Sequence, residues 1–133
     1  MNTCDFLLER GGAADVAIIE GSRNWSYAQL RDAVAVLAAR LQAEDLAPGA
    51  PVVVAGGNSF FWVAAYLAVL KMGLVAVPTS SDARRVSERM TWLGCRTLMA
   101  DRPNLRRLAP RPEIVTISEQ DYVNAQAAQA QAE

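Results

Sequence analysis

The residues of this chain able to do chemistry are few, and Gly56-Gly57-Asn58-Ser59 come first among them. They join an apolar run to a helix-like segment, the place where α/β proteins hold phosphate on backbone N–H groups. Their spacing fits neither the P-loop, which needs a lysine before Ser/Thr, nor the dinucleotide fingerprint with three spaced glycines. The stretch therefore reads as a turn followed by an N-cap. Arg84, Arg85, Arg89 and Arg96, then Arg102, Arg106, Arg107 and Arg111, make the second half locally basic. Such side chains can meet a phosphate-bearing ligand such as coenzyme A. With Asp82 and Glu88 among them, they are expected to form a solvated helix face. Phe60, Phe61, Trp62 and Tyr66 crowd one turn of an apolar helix, a pattern expected of core rather than of a pocket wall. Asp101, at the carboxyl end of a strand, is expected to cap or turn the chain.

Absences narrow the chemistry further. The chain has no histidine, so it cannot build a Ser-His-Asp or Cys-His centre or a His-ligated zinc site from its own residues. Its two cysteines, Cys4 and Cys95, are too few for a disulfide framework or a four-thiolate site. They are expected to be a free terminal thiol and a small buried apolar residue. Lys71 is the one lysine against twelve arginines. No position is assigned a catalytic or metal-ligating role, and cofactor contacts are left open. With 133 residues, 52% of them apolar, and a net charge of −1, the chain has the makings of one domain with a real core and no footprint for nucleic acid. The N-terminus carries Asp5 and Glu9 where a signal peptide wants positive charge, and the run Phe60–Leu70 is too short for a membrane span. A cytoplasmic protein is expected.

The elements that must position these residues follow from patterning. Residues 16–20 and 24–27 flank Gly21-Ser22-Arg23 and predict a short β-hairpin with a three-residue turn. Ser26 and Gln29 make a capping box, with Trp25 and Leu30 placed as a hydrophobic staple. The stripe Tyr27, Leu30, Val34, Leu37 and Leu41 gives the helix one apolar face, opposite Arg31, Asp32, Arg40 and Gln42. Pro51–Ala55 is a strand apolar on both faces, as in a covered parallel sheet. A helix over about 60–72, stopped by Gly73, leads to a strand Leu74–Val77 ended by Pro78. Ser81 or Asp82 caps a third helix with apolar face Val86, Met90 and Leu93, stopped by Gly94. Thr97–Ala100 and Ile114–Ile117 are further strands, joined by a Pro/Arg-rich loop. Units of about 22–24 residues spell βαβ. The fold class is α/β, a parallel sheet with helices on both faces, preceded by a short β-hairpin. Residues 1–118 form the lobe, and 119–133, rich in Ala and Gln, a linker or frayed helical tail.

The order of segments is similar to a known family. Trp25-Ser-Tyr-Ala-Gln-Leu30 opens a helix ending Leu-Ala-Ala-Arg-Leu41; Pro48-Gly49, Val52–Ser59, Ala64–Gly73, Val75-Ala-Val-Pro78 and Ser87-Glu-Arg-Met90 follow. Over residues 14–101 this resembles the start of the adenylate-forming, AMP-binding ligases: acyl-CoA synthetases, nonribosomal peptide synthetase adenylation domains and luciferases. Peptide-synthetase domains continue past the proline into a hydrophobic-Asp-Pro segment, where this chain has Thr79-Ser-Ser-Asp82, so the likeness leans toward an acyl-CoA synthetase. It implies ATP-dependent activation of a carboxylic acid as an acyl-adenylate, with Mg²⁺, and transfer to a thiol of coenzyme A or a carrier protein. Fatty, aryl and amino acids are all compatible substrates, with fatty or other small acids ahead.

The family's phosphate loop with its lysine, its magnesium motif, its ribose-binding aspartate and its C-terminal lysine have no match here. Lys71 matches a structural lysine. The resemblance thus implies an incomplete lobe of a larger domain, inactive alone, whose partner is the remainder of the ligase in the same or a separate chain. The alternatives are an adenylation-domain fragment of a nonribosomal peptide synthetase, a short subunit or binding module that completes a split ligase by docking to a partner chain, or an unrelated α/β domain. An apolar face uncovered by the missing part is expected to drive self-association into a symmetric dimer.

Overall fold

The computed structural model describes residues 3–12, 14–57 and 59–123. A short helix, α1 (Thr3–Leu8), precedes the hairpin of β1 (Val16–Glu20) and β2 (Arg23–Ser26). Glu20 pairs with Arg23, so the turn is the two residues Gly21-Ser22 rather than three. Gly21 supplies a positive φ of 57° at its first position, where glycine is free of the Cβ penalty. Arg23 joins the ladder because a two-residue turn matches the strand twist.

The capping box opens α2 (Tyr27–Gln42) as expected: Gln29 N–H donates to Ser26 Oγ at 3.1 Å, and Ser26 N–H to Gln29 Oε1 at 2.8 Å. Leu30, Val34, Leu37 and Leu41 are buried along it, joined by Ala33 and Ala38. Four parallel strands then make the sheet: β3 (Pro51–Ala55), β4 (Val75–Thr79), β5 (Thr97–Met99) and β6 (Val115–Ile117), in the order β4-β3-β5-β6. The crossovers are α3 (Phe60–Lys71), α4 (Ala83–Leu93) and α5 (Arg102–Leu108), and residues 119–123 are again helical.

Side chains alternate between the two faces of the sheet. Val52, Val54, Met99 and Ile117 join the larger core with α1, α2 and α3. Val53, Ala55, Leu98 and Ala100 meet α4 on the other face, with Leu105 of α5 packed against them. α3 is therefore wedged between sheet and helices, which explains a composition apolar nearly all round.

Beyond the hairpin turn, two expectations need correction. Pro78 does not end β4, which runs on to Thr79. Val75 N–H donates to Ala50 O and Thr79 O accepts from Gly56 N–H, so odd-numbered residues face β3 and Pro78 faces outward. There its missing N–H costs no ladder bond. The Pro/Arg-rich loop contains α5, because Asp101 caps it (Asn104 N–H to Asp101 Oδ1, 3.0 Å) and Pro103 sits in its first turn. α1 has no counterpart among the sequence expectations. It buries Cys4 completely, and the thiol is free as expected. Gly94, at φ 64°, stops α4 as anticipated. Most of the Ala/Gln tail, residues 124–133, lies outside the described residues.

Candidate functional site

The chain steps from β3 to its neighbour β4, then crosses back to place β5 on the other side of β3. The β3/β5 boundary is thus the topological switch point, beyond whose carboxyl ends α/β proteins gather ligands. A cavity of about 490 Å³ opens beside it, between the hairpin, α2, α3, the start of α5 and residues 119–123. Its apolar wall is a stack: Trp25 lies on Phe60 at 3.9 Å between ring centroids and 9° from parallel, and the Arg23 guanidinium stands 4.1 Å over Trp25. The expected staple residue Trp25 thus spends its ring on α3.

The polar groups at this mouth include Arg23, Gln29, Ser59 and Tyr122 and three carboxylates, Glu20, Asp101 and Glu119, each of which caps a helix start of the chain itself. Phe60 N–H donates to Glu20 Oε2 at 2.6 Å, and Trp62 N–H to Ser59 Oγ at 3.0 Å. Arg102 N–H donates to both oxygens of Glu119, at 2.9 and 3.0 Å. These amides are the anion-binding groups of the two helix starts. Glu20 and Glu119 reach them from 40 and 17 residues away, outside the range in which a capping motif is legible.

Phosphate does not fit this mouth. Its oxygens would meet Glu20, Asp101 and Glu119, with helix amides already engaged. Among the described residues, no group of three His, Cys, Asp or Glu could hold a metal ion.

The other singled-out residues fall elsewhere. Arg84 pairs with Glu88 at 3.0 Å and Arg111 with Glu113 at 3.2 Å, both in solvent. Arg107 reaches Ser81 Oγ at 3.3 Å. Arg85, Arg89, Arg96, Arg102 and Arg106 are exposed. Phe60 and Phe61 are core, while Trp62 and Tyr66 stack half-buried at 5.3 Å. Lys71 ties α3 to α1 through Asp5 at 3.2 Å. The Cys95 thiol donates to Pro51 O at 3.2 Å and Thr97 O at 3.3 Å. No helix among the described residues is long and apolar enough to cross a membrane.

Comparison with known proteins gives this scaffold its relatives. The nonribosomal peptide synthetase opaA of Aspergillus ustus is 33% identical over 104 residues, covering 77% of this chain and 3% of opaA. The solved NpsA of Klebsiella oxytoca, in complex with 3-hydroxyanthranilyl-AMSN, superposes with a TM-score of 0.71 at 27% identity, covering 91% of this chain and 24% of NpsA. The nonribosomal peptide synthetase FmoA3, in its α-methyl-L-serine-AMP-bound form, shares the fold at TM-score 0.83 and 16% identity, covering 92% of this chain and 14% of FmoA3. The chain therefore spans a small part of the relatives it matches. The family model of AMP-binding enzymes matches residues 9–133, and the chain belongs to that family.

Proposed function

We propose that this chain is the N-terminal α/β lobe of a nonribosomal-peptide-synthetase type adenylation domain. The observation that carries this is the family match over residues 9–133, taken with the likeness to the nonribosomal peptide synthetase opaA. The whole enzyme would activate a carboxylic acid: its carboxylate oxygen bonds to the α-phosphorus of ATP as pyrophosphate leaves. A carrier-protein thiol would then take the acyl group as AMP departs. ATP and Mg²⁺ would be held by the rest of the domain, since the carboxylates at this mouth repel phosphate and, among the described residues, no three metal-ligating groups converge on one ion.

The acyl-CoA synthetase reading and its fatty-acid substrates find no specific support. Their basis was Thr79-Ser-Ser-Asp82, whose composition has a local explanation. Thr79 ends β4, and Asp82 Oδ1 accepts from Arg85 N–H at 3.0 Å as the N-cap of α4.

In this reading the lobe positions and does not react. Glu20 binds hairpin to α3, and Glu119 binds the chain after β6 to α5, so the carboxyl edge of the sheet becomes one rigid rim. The test is a graft: this chain replaces the matching segment of NpsA, and ATP–pyrophosphate exchange is measured with the acid that supports exchange by intact NpsA. Exchange within about tenfold of NpsA is expected. A folded chimaera without exchange, or exchange by residues 1–133 alone, would overturn the assignment.

A further inference from the structure

The outer side of α4 carries Arg85, Glu88, Arg89 and Trp92 at spacings of three and four, one stripe along the helix. All four are exposed, and Trp92 is 81% exposed, the most open large apolar side chain among those described. The stripe borders a cleft of about 480 Å³ whose other wall is Pro78, Thr79 and Ser80 at the end of β4. Among the described residues, Arg85 and Arg89 make no ion pair. Glu88 is engaged only by Arg84, in a solvent-exposed i,i+4 pair of the kind worth little.

The order of these residues is self-complementary. Laid antiparallel on a second α4 about a twofold axis between positions 88 and 89, the stripe sets Arg85 against the partner's Trp92. It also sets Glu88 against the partner's Arg89. Both pairs occur twice by symmetry, as an isologous interface requires. Arginine over an indole face and carboxylate against guanidinium are each favourable, and Trp and Arg are the residue types that anchor interfaces. Strand addition along β4 is a poor route to the same dimer, because Pro78 puts a residue without an N–H on the outward edge.

We infer that the α4 stripe is a homodimer interface, with a second copy of this chain as its occupant. The proposal stands on this face alone and does not depend on the adenylation reading.

Sedimentation equilibrium of residues 1–133 tests it, with circular dichroism to verify folding of every variant. The stripe is exposed, so its variants are expected to fold. A dimer is expected whose dissociation constant rises about tenfold or more in Trp92→Ala. Glu88→Arg and Arg89→Glu should each weaken it similarly by setting like charges together. The double variant E88R/R89E should restore it, since the pair is then present in reverse. Salt raised from 50 to 500 mM should weaken the parent dimer. A monomer at millimolar concentration would overturn the proposal. So would a dimer indifferent to Trp92→Ala, or a folded double variant no tighter than its singles.

Discussion

α3 and α4 follow neighbouring strands, yet they are made of opposite materials. α3 reads Phe-Phe-Trp-Val-Ala-Ala-Tyr-Leu-Ala-Val-Leu-Lys and buries seven residues among sheet, α1 and α2. α4 reads Ala-Arg-Arg-Val-Ser-Glu-Arg-Met-Thr-Trp-Leu and buries only Val86 and Met90. The difference is one of layers. A helix between two packed layers has no face left for water, whereas an outer helix needs only a narrow apolar stripe. One side of the sheet is therefore a thick core and the other a thin cover.

That contrast breaks most visibly by placing a charge on each helix. Val69→Asp buries a carboxylate in a site with no exposure and should cost about 4 kcal/mol or more, or prevent folding. Ser87→Asp on exposed α4 should stay within about 0.5 kcal/mol in urea unfolding. If the two were equally costly, the layer account would fail.

Truncation sharpens the comparison. Leu37→Ala, in the thick core, should lie high in the range of about 2–5 kcal/mol for such changes. Met90→Ala, in the thin one, should lie at its low end, because α4 can settle onto the sheet from the solvent side. Denaturant midpoints at constant slope would show the ranking.

A smaller pair of effects sits at the ends of the outer helices. α4 ends on Gly94 at φ 64°, while α5 ends on Ala109 at φ 44°, where a Cβ is disfavoured. Gly94→Ala should cost about 1 kcal/mol and Ala109→Gly should gain about 0.5–1 kcal/mol. Thermal melts of the two variants should move in opposite directions.

The smallest expected effect belongs to Cys4. Burial raises its thiol above the ordinary range; Lys71 opposes the rise and Asp5 adds to it. The folded chain thus keeps this proton to higher pH than the unfolded chain. The resulting stability is complete below the unfolded thiol value of about 8.5 and is lost as pH climbs through the folded one. Between pH 8 and 10, Tm should fall further for the parent than for Cys4→Ala.

How much of this was readable beforehand depends on the range of the interaction. The Ser26 capping box, the Leu30–Leu41 stripe, the βαβ rhythm and the Gly94 stop are local patterns, and the structure repeats them. The continuation of β4 through Pro78 was hidden because an outward-facing edge residue depends on which neighbour the strand has. α5 was hidden by its three arginines and its proline, although Asp101 and Pro103 together mark a helix start. The acidic rim was out of reach, since Glu20 and Glu119 act on amides distant in sequence. The motifs that name the family are packing elements, and therefore identified kinship without identifying a reacting group.

The attachment of α1 has a consequence for the order in which the molecule opens. Its end is held by one side chain: Arg31 donates through Nε and Nη2 to Leu8 O at 3.1 and 2.8 Å, and through Nη2 to Gly11 O at 2.7 Å. A Cβ on Gly11 would overlap the Tyr27 ring, so any side chain there would require that ring to shift. The first residues thus hang from this guanidinium, the Lys71–Asp5 pair and the buried Cys4 and Leu8 side chains. A six-residue helix cannot persist once released. Its amides should exchange as one group, ahead of every strand, and the buried Cys4 thiol would meet solvent in that same event.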